Sequence, residues 1–63
     1  MAINLEELKG KSEAEAQRIV NEAKMIMRVT SRNGESYIVT RDYRRDRVNV
    51  KINKDRVYEA SLG

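Results

Sequence analysis

The segment SEAEAQRIVNEAK, residues 12–24, has the sequence pattern of a helix that buries one face. Ser12 is a favourable helix cap, and Glu15 can return a hydrogen bond to the Ser12 N–H, so the two residues form a capping box. Four apolar residues then follow at the spacing i, i+3, i+4 and i+7: Ala16, Ile19, Val20 and Ala23. Because this spacing places them on one side, the pattern predicts a helix over residues 12–24 that packs against another layer.

After the helix, the apolar residues change to the alternation of β-strands. Residues 47–53, RVNVKIN, alternate most regularly, and residues 25–30 and 56–60 show weaker versions of the same pattern. A polar turn at residues 53–55 separates the strand at 47–53 from the strand at 56–60. One helix packed on a small sheet predicts an α+β fold, in a single domain that covers residues 1–63. Three residues of the most regular strand share its apolar face: Val48, Val50 and Ile52.

The connection between the strands at 25–30 and 47–53 leaves two arrangements open. Asn33-Gly34 is the strongest turn signal in the chain, since both residues tolerate positive φ. Residues 35–40 could pair with the first strand through this turn, as the second strand of a hairpin. Alternatively, residues 35–46 form one long polar loop, and long ordered loops in small domains tend to carry function.

The composition excludes several functional classes. The chain has 63 residues, 40% of them hydrophobic, which is enough for one small core. It contains no cysteine, which excludes disulfides and thiolate chemistry, and no histidine, which excludes Ser-His-Asp catalysis and histidine metal ligation. An enzyme, a cofactor and a metal site are therefore not expected.

The sequence shows neither a membrane span nor a secretory signal. No apolar run reaches the roughly 20 residues of a membrane span. The first residues lack the pattern of a secretory signal, and the compartment stays open.

The positive charge is concentrated in one segment. The net charge is +3, and four arginines lie within the seven residues from Arg41 to Arg47, interrupted by Asp42 and Asp46. Clustered arginines are typical of nucleic-acid or polyanion binding, although alternating signs suit it poorly. In a second interpretation, Arg47 reaches beneath the loop and holds Asp42 and Thr40, which braces a loop with Arg41 at its tip. In a third, the arginines form solvated surface ion pairs that contribute about 0–1 kcal/mol each.

Two segments carry a resemblance to a known family. Residues 8–12, LKGKS, followed by Glu15 and Ala16, resemble the opening of the potato type I serine protease inhibitors, the family of barley chymotrypsin inhibitor and eglin. Residues 39–48, VTRDYRRDRV, resemble the reactive-site segment of the same family and are most similar to its microbial members. The resemblance extends over about residues 5–63.

The resemblance implies a fold and a function. It implies that the two central strands are parallel and that an exposed reactive loop, about residues 35–46, crosses between them. Asn33-Gly34 would then begin this loop instead of closing a hairpin. The implied scissile bond is Arg41–Asp42, with Arg41 in the primary specificity pocket of the protease. The loop residues implied to contact the protease are Ile38, Val39, Thr40, Arg41, Asp42, Tyr43 and Arg44.

The resemblance also implies which residues brace the loop. Arg47 corresponds to one of two bracing arginines of the family, whereas Asn49 stands at the position of the second. Arg44 and Arg45 are candidates to replace that second arginine. The implied partner is a trypsin-like or subtilisin-like serine protease, bound by a monomer without a cofactor or a membrane. Binding of nucleic acid through residues 41–47 is the alternative function.

Overall fold

A computed structural model describes residues 3–37 and 42–63. In chain order the elements are a 3₁₀ helix at Leu5–Leu8, α1 at Glu13–Glu22, β1 at Ile26–Arg32, β2 at Glu35–Ser36, β3 at Arg47–Asn53 and β4 at Arg56–Leu62. Within the described residues the strands form one mixed sheet in the order β2-β1-β3-β4, in which β1 and β3 are parallel and the other neighbours antiparallel. The predicted α+β class is confirmed, because one α-helix packs on this sheet and the implied parallel pair is present.

The helix α1 begins and ends at residues whose conformations stop it from extending further. Ser12 caps it, and the Ser12 Oγ accepts a hydrogen bond from the Glu15 N–H at 3.2 Å. At the other end, Lys24 adopts a left-handed conformation with φ of 59°, which closes the last turn and directs the chain into β1. The helix therefore ends at Glu22, two residues before the end that the sequence predicts.

The core lies between α1 and one face of the sheet, with β3 at its centre. The strand β3 pairs with β1 on one side and with β4 on the other, and its first residue lies opposite Ile26 of β1 and accepts from the Gly63 N–H after β4. That residue, Arg47, is only 8% exposed. Among the described residues, seven buried apolar side chains make up the core: Leu8, Ala16, Val20, Val48, Val50, Ile52 and Val57.

The turn at Asn33 and Gly34 closes a short hairpin. The two residues have φ of 51° and 83°, the positive pair that a tight hairpin turn requires. They join β1 to β2, and the Tyr37 N–H donates to the Thr30 carbonyl at 2.9 Å. The implication that this turn begins a loop without closing a hairpin is therefore wrong, because the local turn geometry produces antiparallel pairing. The predicted hairpin is present for the described residues 35–37, and its residues 38–40 lie outside the described part of the chain.

An irregularity in β1 sends two of its arginines to opposite faces of the sheet. In the middle of the β1–β3 register, β1 contains one extra residue. Arg28 lies opposite Asn49 before this point, whereas Arg32 lies opposite Ile52 after it. Since Ile52 faces the core, Arg32 reaches the helix and donates to Glu13 at 2.7 Å. Arg28 instead lies on the face opposite α1.

Candidate functional site

The connection from β2 to β3 is the candidate functional site. Asp42, Tyr43 and Arg44 lie in its described part and all three are exposed, Tyr43 by 68%. Residues 42–46 lead directly into β3. The remaining residues implied to contact a protease lie outside the described residues: Ile38, Val39, Thr40 and Arg41.

Arg47 attaches residues 42–46 to the rest of the fold. Its Nη2 donates to the main-chain oxygen of Asp42 at 2.5 Å and to that of Gly63 at 2.6 Å, and its Nε donates to Gly63 at 2.9 Å. Its Nη1 lies 3.6 Å from Oδ2 of Asp42. The Gly63 N–H returns a hydrogen bond to the Arg47 carbonyl at 3.1 Å. One guanidinium group therefore joins the segment before β3 to the residue after β4, while its predicted contact with Thr40 lies outside the described residues.

Burial makes the main-chain hydrogen bonds of Arg47 important. A guanidinium that loses its hydration is costly to the fold unless its donors find partners. The planar fork of arginine reaches two main-chain oxygens at once, which the compact ammonium of lysine does not reproduce. The ion pair with the Asp42 carboxylate adds little, because that side chain is 58% exposed and screened by water. Of the contacts between Arg47 and Asp42, the hydrogen bond to the main-chain oxygen is therefore the more important one.

Gly63 fits into this arrangement because it has no side chain. A Cβ atom at this position would lie 2.8 Å from Nδ2 of Asn49 and 4.0 Å from Cδ2 of Tyr43. A side chain at this position would displace the Asn49 amide, so glycine allows the two residues to lie this close together. Sequence reasoning did not assign Gly63 to the site, since a single glycine after a strand has no periodicity or charge that would indicate a contact with Arg47.

Asn49 has a partner on the neighbouring strand. The Arg28 Nε donates to Oδ1 of Asn49 at 2.8 Å, and the two residues lie opposite each other in the β1–β3 register. Sequence reasoning missed Arg28 as a site residue. The signal was present, because Arg28 alternates with Met27 and Val29 on the polar side of the predicted strand, and a parallel pairing brings that side next to the polar side of β3.

Arg44, one of the two candidates for a second bracing arginine, pairs with a neighbour in the sequence. Its Nε and Nη2 donate to the two carboxylate oxygens of Asp46 at 3.0 and 2.9 Å. Both side chains are about half exposed, so water screens this pair. Arg45, the other candidate, is exposed. The asparagine at position 49 therefore has its arginine partner on β1, at Arg28.

Two described arginines of the cluster, Arg44 and Arg47, have partners within the protein. Arg47 is buried and bound to main-chain oxygens, and Arg44 is neutralised by Asp46. Affinity for nucleic acid grows with the number of phosphates that free cations can neutralise. Two of the four arginines therefore already have partners within the protein.

No protein-family model and no curated protein matches the sequence. Among residues 3–37 and 42–63, no group of three or more potential metal ligands is close enough to hold an ion. In the same part of the chain, none of the helices has the length and apolar character needed to cross a membrane. What the protein does is therefore inferred from the residues around Arg47.

Arg44→Ala is expected to change the titration of Asp46. The hydrogen bond from Arg44 holds the pKa of the Asp46 carboxyl below its ordinary value, and its loss should return the pKa towards that value. Because the pKa is lowered in the folded state, the contribution of the pair to stability is present above the ordinary carboxyl pKa and is lost as the pH falls through the lowered one. The side-chain carbon signal of Asp46 in an NMR titration measures this.

The matched control for this titration is Arg45→Ala, which removes an adjacent positive charge and leaves the Arg44–Asp46 hydrogen bonds in place. The pKa of Asp46 should stay low in this variant. A pKa of Asp46 that is the same in Arg44→Ala as in the wild type would show that Arg44 does not lower it.

Proposed function

We propose that this protein is a serine protease inhibitor that binds its target through residues 38–44 in the manner of a substrate. The scissile bond is Arg41–Asp42, and Arg41 enters the primary specificity pocket. One observation supports this proposal above the others: the residue that follows the scissile bond is attached by its main-chain oxygen to Arg47, a buried arginine of the central strand. A flexible peptide substrate has no such attachment.

The attachment favours tight binding because residues 42–46 lose conformational freedom when the protein folds. A flexible peptide becomes ordered only on docking. That ordering costs a free energy of roughly 0.5–1.5 kcal/mol for each immobilised side chain, in addition to the cost of ordering its main chain. In this protein the core that surrounds β3 holds Arg47, and Arg47 holds Asp42. More of the contact energy then appears as affinity, in an interface of about 1,600 Å², the size typical of protease–inhibitor complexes.

The same attachment favours slow hydrolysis. When the protease serine attacks the Arg41 carbonyl carbon, an ester forms and the bond to the Asp42 nitrogen breaks, with a proton from the protease histidine going to that nitrogen. In an ordinary substrate the new amine departs, and water then hydrolyses the ester. In this protein Arg47 keeps Asp42 close to the ester, so the amine re-forms the peptide bond faster than water reacts.

The residues on the leaving side of the scissile bond are available for contact with a protease. Tyr43 is 68% exposed, and the Arg44 side chain is about half exposed. Arg41 suits a trypsin-like enzyme, whose pocket has a carboxylate at its base. Subtilisin-like enzymes are the second target class, since an ordered extended loop offers them main-chain contacts that do not depend on the residue at position 41.

Purified protein is expected to inhibit trypsin, subtilisin or both with a nanomolar or lower inhibition constant, a binding free energy of about −12 kcal/mol. Arg41→Ala removes the side chain that fills the trypsin pocket. It should therefore weaken inhibition of trypsin on the order of 100-fold, as loss of a central anchor does, and weaken inhibition of subtilisin much less. Titration of each enzyme against a chromogenic substrate measures both constants.

Arg45→Ala is the control for Arg41→Ala, because it removes the same charge from an exposed position four residues away. Inhibition should be nearly unchanged in this variant. The proposal fails if the wild type inhibits neither enzyme class, or if Arg45→Ala weakens trypsin inhibition as much as Arg41→Ala does.

Arg47→Ala is expected to turn the inhibitor into a substrate. Without the guanidinium, Asp42 is released from Gly63 and β3, and the amine formed on cleavage departs. The Arg41–Asp42 bond should be cleaved at least roughly tenfold faster, since the advantage of a held neighbouring amine is lost. Mass spectrometry of the chain during incubation with a catalytic amount of protease follows the cleavage.

Arg47→Lys is the companion variant, because it keeps the positive charge and loses the planar fork. Its cleavage rate should lie between those of Arg47→Ala and the wild type. Loss of hydrogen bonds to a charged group lowers the free energy of unfolding by about 1.5–3 kcal/mol for each bond. The cleavage rates are therefore compared at a temperature at which circular dichroism shows that all three proteins are folded. Equal cleavage rates in the three folded proteins would show that Arg47 does not protect the bond.

A further inference from the structure

Arg28 and Asn49 form a polar pair on the sheet face opposite α1. The Arg28 Nε donates to Oδ1 of Asn49 at 2.8 Å, and the parallel register places the two residues directly opposite each other. Asn49 lies two residues after Arg47 on β3, so its side chain is on the same face as the arginine that holds the loop. Arg28 and Asn49 are both partly buried. The pair is therefore a fixed part of the surface from which Arg47 acts.

The pair connects to the loop through Gly63. Because Oδ1 of Asn49 accepts from Arg28, its Nδ2 points the other way, where it would lie 2.8 Å from a Cβ atom on Gly63. The main-chain oxygen of Gly63 accepts from Nε and Nη2 of Arg47, and Arg47 donates to Asp42. Hydrogen bonds therefore join Arg28 to Asn49 and Arg47 to Gly63 and Asp42, and the Asn49 amide lies close beside Gly63. This series of neighbours runs from β1 to the residue after the proposed scissile bond.

Electrostatics explains why a neutral residue occupies position 49. Arg28 and Arg47 lie on the same face of two adjacent strands, and both guanidinium groups are always protonated. A third cation at this position would repel both of them. The amide of Asn49 instead accepts from Arg28 through its oxygen and presents its nitrogen to Gly63. Asn49 therefore accepts a hydrogen bond from Arg28 while it lies beside Gly63, the hydrogen-bond partner of Arg47.

We propose that Arg28 is a second positioning residue for the loop: it orients Asn49 and so keeps Gly63 and Arg47 where they hold Asp42. The order of the segment after the scissile bond is a property of the free protein. The slower cleavage that follows from this order rests on the proposed inhibitor function. The two can therefore be measured separately.

The experiment compares Arg28→Ala with Arg32→Ala in the full chain. Both variants remove an arginine and a hydrogen bond from β1, but Arg32 lies on the helix side, where it pairs with Glu13 at 2.7 Å. Nitrogen-15 relaxation of the amides of residues 42–44 measures order in the free protein, and the rate of tryptic cleavage after Arg41 measures its consequence. Arg28→Ala should lower that order and accelerate cleavage roughly tenfold, the effect of losing one charge-assisted hydrogen bond. Arg32→Ala should leave both at the wild-type level, even if thermal stability falls.

Two substitutions of Asn49 separate positioning from packing. Asn49→Asp keeps an acceptor for Arg28, whereas Asn49→Leu keeps the size of the side chain without an acceptor. The order of residues 42–44 should be retained in Asn49→Asp and lost in Asn49→Leu. Adding Arg28→Ala to Asn49→Leu should cause a smaller loss than Arg28→Ala causes in the wild type, because both changes remove the same hydrogen bond.

Each outcome supports or overturns one of the two proposals. Equal order of residues 42–44 in folded Arg28→Ala and Arg32→Ala overturns the positioning role, whatever the wild type inhibits. A wild type that inhibits no protease, together with lower order in Arg28→Ala alone, supports the positioning role and overturns the inhibitor proposal. Lower order and faster cleavage in Arg28→Ala, with inhibition by the wild type, support both.

Discussion

The guanidinium group of Arg47 is the one contact on which the geometry of the candidate site depends. It lies at the start of the central strand, nearly excluded from water, and its donors go to the main-chain oxygens of Asp42 and Gly63. The next residue, Val48, is fully buried in the core, so the main chain of Arg47 has little freedom to move. The energy that folds the core therefore also holds an exposed segment in place.

The sheet topology attaches both described ends of the β2–β3 connection to the two parallel strands. On one side, the short hairpin brings Tyr37 back along β1, where its N–H donates to Thr30 at 2.9 Å. On the other side, Asp42 is held by Arg47 of β3. Four residues of the sequence, 38–41, separate these two anchors. A proposed scissile bond at the second anchor is consistent with a loop that a protease binds without cutting efficiently.

Local sequence patterns predicted most of the fold and part of the site. Capping and apolar spacing predicted α1, and regular alternation predicted β3 at residues 47–53, the bounds that the structure has. The residue pattern at Asn33-Gly34 indicated the hairpin, which the family resemblance argued against. The contacts of Arg28 and Gly63 were not predicted, because they join residues far apart in the chain. The contact of Arg28 with Asn49 requires the parallel pairing of β1 with β3, and that of Gly63 with Arg47 requires the pairing of β3 with β4.

Re-formation of the cleaved bond tests most directly whether Arg47 holds the leaving side in place. The starting material is the protein cut between Arg41 and Asp42, with its two fragments still joined by the β1–β3 pairing. On addition of a catalytic amount of the inhibited protease, intact chain should appear until the two forms coexist in comparable amounts, because the held amine loses little freedom on rejoining. Cut protein that stays folded and yields no intact chain would contradict this account.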